Sequence, residues 1–230
     1  IQEAGDDTPE AELKELLRAA DDELAQIKMA GDLVVAAFFL GNRPREREAR
    51  LAEFADAFAS GKGEDDRGQL DEWRQSEWSL VPFHWELEFP EVFGRPKRGF
   101  DAVIGNPPFL GGWQMPTRLG PRYCELVKQV FSESRGTADL CAYFFRRAFE
   151  LLREGGALGL LATNSIAESA TRRVGLEVIV RSGGDIYWAV SDMPWPGISE
   201  VTVARVHILR GSYSGERILN NRPSARIGPH

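Results

Sequence analysis

Residues 106–109, Asn-Pro-Pro-Phe, are the stretch of this sequence whose residue types and order are best suited to chemistry. The amide offers hydrogen-bond donors and an acceptor, and the aromatic ring offers a flat face. Between them, two consecutive prolines remove two backbone donors and fix two φ angles. Proline also pushes the residue before it, Asn106, away from helical geometry. The product is a rigid stub that holds one amide and one ring in a set direction. Other chemistries have less to stand on. Cys124 and Cys141 show no metal-ligand spacing, and the three histidines do not cluster, so neither zinc nor triad chemistry is indicated and no metal is expected.

A stub of this kind needs a support. Phe100, Ala102, Val103 and Ile104 form an apolar run bounded by glycines, the pattern of a short buried strand ending at Asn106. A loop with glycine, proline and arginine follows to about residue 121, then a helix over 121–132. "TADLCAYFFRRAFELLREGG" (137–156) reads as a longer helix, with Thr137 as its cap and Gly155-Gly156 as its stop. "ALGLLAT" (157–163) is a second buried strand that runs into Asn164-Ser165. A helix over 168–181, a strand over 185–190 and an alternating strand over 199–209 complete the pattern. Strands alternating with helices predict an α/β fold with a mostly parallel sheet. The last strand, joined through "MPWPG", is expected to be antiparallel at or near an edge. Ligands of such sheets sit beyond the carboxyl ends of the strands, where Asn106 and Asn164 both fall.

The first part of the chain is different. Thr8-Pro9-Glu10 reads as a helix start, with Leu13, Leu16, Leu17, Leu24 and Ile27 at helical spacing. Gly31 and Gly41 flank a second apolar stretch. A third helix from near Pro44 carries Leu51, Phe54 and Phe58, and "SGKGEDDRG" (60–68) reads as a linker. Residues 1–80 are therefore an acidic helical segment, and residues 81–230 the α/β part. Charge follows the same division: residues 1–94 hold 10 Lys and Arg against 23 Asp and Glu, residues 95–230 hold 18 against 12. A solvated acidic helix face explains the first imbalance; a basic half facing a polyanion explains the second. No apolar run has the length to span a bilayer, and the acidic start does not read as a signal peptide. With no disulfide pattern, a reduced cytoplasmic protein is expected.

"FDAVIGNPPF" resembles motif IV of the amino-group DNA methyltransferases that use S-adenosylmethionine. "FHWELEFPEVF" before it, and "TADLCAYFFRRAFELLREGGALGLLATNSI" and "VGLEVIVRSGGDIYWAVSDMPWPG" after it, resemble the adenine-specific enzymes related to combined restriction–modification proteins. The resemblance covers most of residues 81–220. The tetrapeptide alone is shared with ribosomal guanine methyltransferases, and a Tyr-ending version occurs in release-factor glutamine methyltransferases; the longer blocks favour DNA adenine. The resemblance implies a partial class I (Rossmann-like) methyltransferase fold and transfer of a methyl group to the exocyclic amine of an adenine flipped out of double-stranded DNA. It gives the Asn106 side-chain oxygen and the Pro107 carbonyl as acceptors for the two amine hydrogens, with Pro108 completing the rigid pair. Phe109 becomes the ring that stacks on the flipped base. Asn164 and Trp195 are further candidates for the base pocket, although each also reads as a turn or loop anchor. Asp139 is a candidate cofactor contact, although an acid in a first helical turn also stabilises the helix dipole. The glycine-rich turn and ribose-binding acid of the family are expected before residue 99 and are absent there. The chain thus reads as the catalytic half of a larger enzyme, with other restriction or defence-system subunits as further partners to expect. The alternatives are a non-catalytic DNA-binding or assembly module, or an RNA guanine or protein glutamine methyltransferase.

Overall fold

The computed structural model describes residues 9–60, 67–76, 79–131, 133–134, 136–195 and 202–230. Thr8, Trp78, most of the 60–68 linker and Pro196-Gly197 of the "MPWPG" connection lie outside the described residues. The chain divides into two compact units, Ile1–Pro90 and Glu91–His230.

In the first unit, α1 (Glu10–Leu40) and α2 (Pro44–Ala59) pack with α3 (Arg67–Arg74) and a short α4 (Trp85–Glu88). Leu33, Ala36, Ala37, Phe54, Leu70 and Trp73 make the core. Gly31 does not break α1. It sits mid-helix because a Cβ there would lie 2.5 Å from the His84 ring. That ring bonds the Asp32 carboxylate at 2.8 Å, and Arg74 bonds its other oxygen at 2.5 Å. The apolar residues in the first half of α1 form a stripe, as their spacing requires, but Leu17 and Ile27 are half exposed. Of the apolar residues on α2 only Phe54 is buried; Leu51 and Phe58 are exposed. The core forms only where α1 meets α2 and α3, so a helical period in this unit does not by itself mean burial.

The second unit opens with α5 (Pro90–Phe93), which begins at the last residue of the first, and is built on a six-stranded sheet: β1 (Phe100–Gly105), β2 (Leu152–Thr163), β3 (Gly184–Pro194), β4 (Thr202–Arg210), β5 (Arg217–Leu219) and β6 (Arg222–Ser224), in the order β1-β2-β4-β3-β5-β6. Strands β1, β2, β3 and β5 run one way; β4 and β6 run against them. The α/β class and the common direction of the main strands are those the sequence predicts. The position of β4 is not. It is antiparallel as expected, but it lies inside the sheet between β2 and β3, where its alternate residues Val206 and Ile208 are buried. Wetness on one face of a strand reports an open face of the sheet and says nothing about its edge.

Helices α6 (Met115–Leu119), α7 (Pro121–Val130), α8 (Leu140–Leu151), α9 (Ser169–Val174) and α10 (Leu176–Arg181) supply the rest of this unit. Phe145, Leu158, Ile166, Ile179, Ile186 and Ile208 are its most buried large side chains. The helix expected over 137–156 is shorter, and Gly155-Gly156 is not its stop. Both glycines lie within β2. Gly155 has φ +74, and a Cβ on Gly156 would meet the Phe100 carbonyl at 2.7 Å. They serve the register shift where β1 meets β2, between Phe100 and Ala102. Strand β1 also departs from the buried strand expected. Val103 pairs with buried Leu158 and packs on the core, whereas Ile104 pairs with Gly159 on the opposite face and is 87% exposed. An edge strand covered on one face can bury only every second residue.

Candidate functional site

Asn106 follows the last residue of β1. Asn164 follows the last residue of β2 and opens a 3₁₀ turn, Asn164–Ala167. Trp195 follows the last residue of β3. Because these three strands run the same way, the fold brings residues 106–109, Asn164 and Trp195 to one end of the sheet.

Within the tetrapeptide the roles separate by burial. Pro107 is buried and anchors the stub; Asn106 and Pro108 are exposed; Phe109 is half-buried and packs on the main core. A buried prolyl ring with an exposed amide before it leaves the amide free to meet a ligand in a direction that the chain has already fixed. The loop is then tied down a few residues on. Leu140 N donates to the Leu110 carbonyl at 2.9 Å, and Leu110 N donates to Asp139 Oδ1 at 3.4 Å.

Asp139 is therefore a structural hub. It is 7% exposed, it is the N-cap of α8, its Oδ1 accepts from Cys141 N at 2.9 Å, and its own N–H donates to Thr171 Oγ1 at 3.2 Å. The cap of this helix is Asp139 and not Thr137, since only a residue directly before the first turn presents its oxygen to the free amides. Asp139→Ala is expected to lower stability by about 1–2 kcal/mol, with Asp139→Asn recovering most of it because an acceptor remains. Denaturant unfolding of the two variants checks this. Equal stability in both, with loss of activity, would point instead to a ligand contact.

The cysteines sit in settings that keep them unreactive. Cys141 is fully buried, and burial together with the adjacent Asp139 carboxylate holds its thiol far above the usual cysteine range. Burial also pushes the Cys124 thiol up. Neither can serve as the thiolate nucleophile that attack on a pyrimidine ring carbon requires. Iodoacetamide at about pH 8 is expected to label neither in the folded protein and both after unfolding. Mass spectrometry reads the result, and rapid labelling of native Cys124 would overturn it.

The fold also shows functional candidates that the sequence reading passed over. Trp113, on the loop beyond Leu110, is 83% exposed. A lone tryptophan among glycines and a glutamine was the available signal. Asp192 carries φ +54 inside β3 and bonds Asn164, and Asn220, in the turn between β5 and β6, bonds Ser191. The Asn220-Asn221 dipeptide marks that hairpin, with both residues at positive φ, as two-residue turns of this kind require.

Among the described residues no helix is long and apolar enough to cross a membrane, and no group of His, Cys, Asp or Glu is placed to hold a metal ion. The chain is similar to two curated methyltransferases. It is 32% identical over 116 residues to the adenine-specific methyltransferase BrxX of Escherichia coli O9:H4 (strain HS), covering 49% of this chain and 8% of the relative. It is 35% identical over 65 residues to the type II methyltransferase M.XhoI of Xanthomonas vasicola, covering 28% of this chain and 11% of the relative. The chain thus matches only about a tenth of each relative's length. The solved structure of the type IIL restriction-modification enzyme MmeI in complex with DNA matches with a TM-score of 0.46 at 18% identity, covering 80% of this chain and 26% of that one. The model of the Eco57I restriction-modification methylases matches residues 32–176, which include the whole of β1, the Asn-Pro-Pro-Phe stub, α8 and β2. Extending over more than half of the sequence, that match shows that the chain belongs to the Eco57I restriction-modification methylase family.

Proposed function

We propose that this chain carries the amine-handling end of a DNA adenine methyltransferase of the restriction–modification type. The observation that carries the reading is the stub itself: an exposed asparagine amide set on a buried proline at the carboxyl end of β1, in a restriction-modification methylase. The exocyclic amine of adenine is a poor nucleophile because its lone pair is delocalised into the ring. Two acceptors facing its two hydrogens let the nitrogen become pyramidal, which frees the lone pair. The Asn106 Oδ1 and the Pro107 carbonyl are those acceptors. A proline peptide has no N–H of its own to compete for them, and its ring fixes the carbonyl's direction before the base arrives. Phe109 supplies the flat face for a base taken out of the stack. The excess of basic residues after residue 94 suits a polyanionic partner, double-stranded DNA. The setting of the family makes further subunits of a restriction or defence system the proteins to look for beside it.

S-adenosylmethionine is the methyl donor that such chemistry uses. The described residues do not fit a complete site for it. The one candidate contact, Asp139, is buried, and its carboxylate is engaged with the backbone of Cys141 and Leu110. The residues of this chain act on the accepting amine.

The test is transfer of label from S-adenosylmethionine by the intact enzyme to duplex DNA, followed by digestion to nucleosides. Label in N6-methyladenine is the expected result. Label confined to guanine in RNA or to glutamine in protein would overturn the reading.

A further inference from the structure

We propose that the Ser191–Asp192 bulge of β3 is a positioning element for this site: two asparagines clamp it so that the segment entering Trp195 takes one course over the strand ends. The inference rests on the adenine reading above.

Register shows the bulge. Val190 pairs with Arg205, and the next pair is Met193 with Val203, so Ser191 and Asp192 oppose Ala204 alone. Ala204 pairs on its other side with Ala162 of β2. Asp192 has φ +54, a region that aspartate enters more readily than most residues but that still needs holding in place within a strand.

What holds it comes from two other elements. Asn164 Nδ2 donates to Asp192 Oδ1 at 2.6 Å, and Asn164 Oδ1 accepts from Asp192 N at 3.3 Å. Since β4 lies between β2 and β3, this pair reaches across a whole strand. Asn220 Oδ1 accepts from Ser191 N at 2.8 Å, its Nδ2 donates to Ser191 Oγ at 3.1 Å, and its backbone N donates to the Ala189 carbonyl at 2.9 Å. The two consecutive backbone amides of the bulge are thus each taken by a side-chain amide from a different part of the fold. Bulges beside active sites re-aim the chain, and the chain beyond this one is Met193-Pro194-Trp195, stiffened by a proline. Asn164 therefore acts through Asp192, and its amide is spent on the clamp.

The clamp has a symmetry that an experiment can use. Asn164→Asp sets two carboxylates against each other. Adding Asp192→Asn exchanges the two groups and restores an amide–carboxylate pair, with an oxygen on residue 164 still able to accept from the backbone N–H of residue 192. In the intact enzyme acting on duplex DNA, Asn164→Asp is expected to lower kcat about a hundredfold, the scale of a misplaced reacting group, with KM for DNA little changed. The fluorescence of 2-aminopurine at the target position should fall with it. The double variant should recover most of kcat and of that signal. A double variant as impaired as Asn164→Asp would overturn the inference, as would Asn164→Asp losing only melting temperature. Should Asn164→Asp fail to fold, Asp192→Gly replaces it, since glycine takes a positive φ without strain and lacks the carboxylate. Its kcat should fall comparably, and a kcat equal to wild type would overturn the clamp. A wild-type enzyme that methylates no adenine sinks the adenine reading and the clamp together; an active wild type with an unrescued double variant sinks the clamp alone.

Discussion

Asn106→Ala is expected to cut adenine methylation by about a hundredfold or more, the scale of losing one preorganised group at a reacting centre, while changing DNA affinity little. The reason is where the acceptor acts. In the proposed role the amine hydrogens are satisfied in the ground state by water or by the pairing base, so Asn106 is expected to add little to binding. As the nitrogen becomes pyramidal its hydrogens grow more acidic, and an acceptor already in place is worth most at that moment. The side chain is exposed at the strand end, so its removal should leave the melting temperature close to that of the wild type. The measurement is kcat and KM on duplex DNA together with direct DNA binding. Loss of affinity in proportion to rate would make Asn106 a binding residue. A large fall in melting temperature would make it a folding residue.

Phe109→Ala is the second large effect. Loss of a stacked base is expected to weaken DNA binding by about 1–3 kcal/mol, with Phe109→Tyr and Phe109→Trp keeping much of it because the face of the ring matters and no polar group does. The deficit should shrink on DNA whose target adenine is already unpaired, since less extrusion energy then has to be recovered. Phe109 also packs on the main core while half-buried. Its removal should therefore cost some stability, but less than the roughly 3–5 kcal/mol of a fully buried phenylalanine. Melting temperature and DNA affinity measured on the same variant separate the two roles. Unchanged affinity with a large drop in melting temperature would leave Phe109 a core residue only.

What the sequence determined by itself is local. Two prolines dictate a rigid end to β1 wherever that strand lies, because φ restriction and the loss of N–H are properties of the residue. Apolar periods located β1, β2, β3 and α8 because a strand or helix must present its side chains at its own repeat. Alternation of strands with helices was enough for the α/β class, since parallel strands need long crossovers.

Tertiary structure decided everything that depends on a partner distant in sequence. Gly31 looked like a break and is a gap filled by the His84 ring. Gly155-Gly156 looked like a helix stop and accommodates the carbonyl of Phe100. Ile104 looked buried and faces away from the helices at the sheet edge. In each case the residue's own preference allowed both outcomes, and the neighbour chose. The same holds for the clamp on β3. Nothing in the letters of Asn164, Asp192 and Asn220 links them, and their hydrogen bonds exist only because β4 inserts between β2 and β3 and the β5–β6 turn folds back on the bulge. A chain announces the geometry of a rigid dipeptide through local sterics, but it reveals side-chain pairs across a sheet only once long-range packing has set the order of the strands.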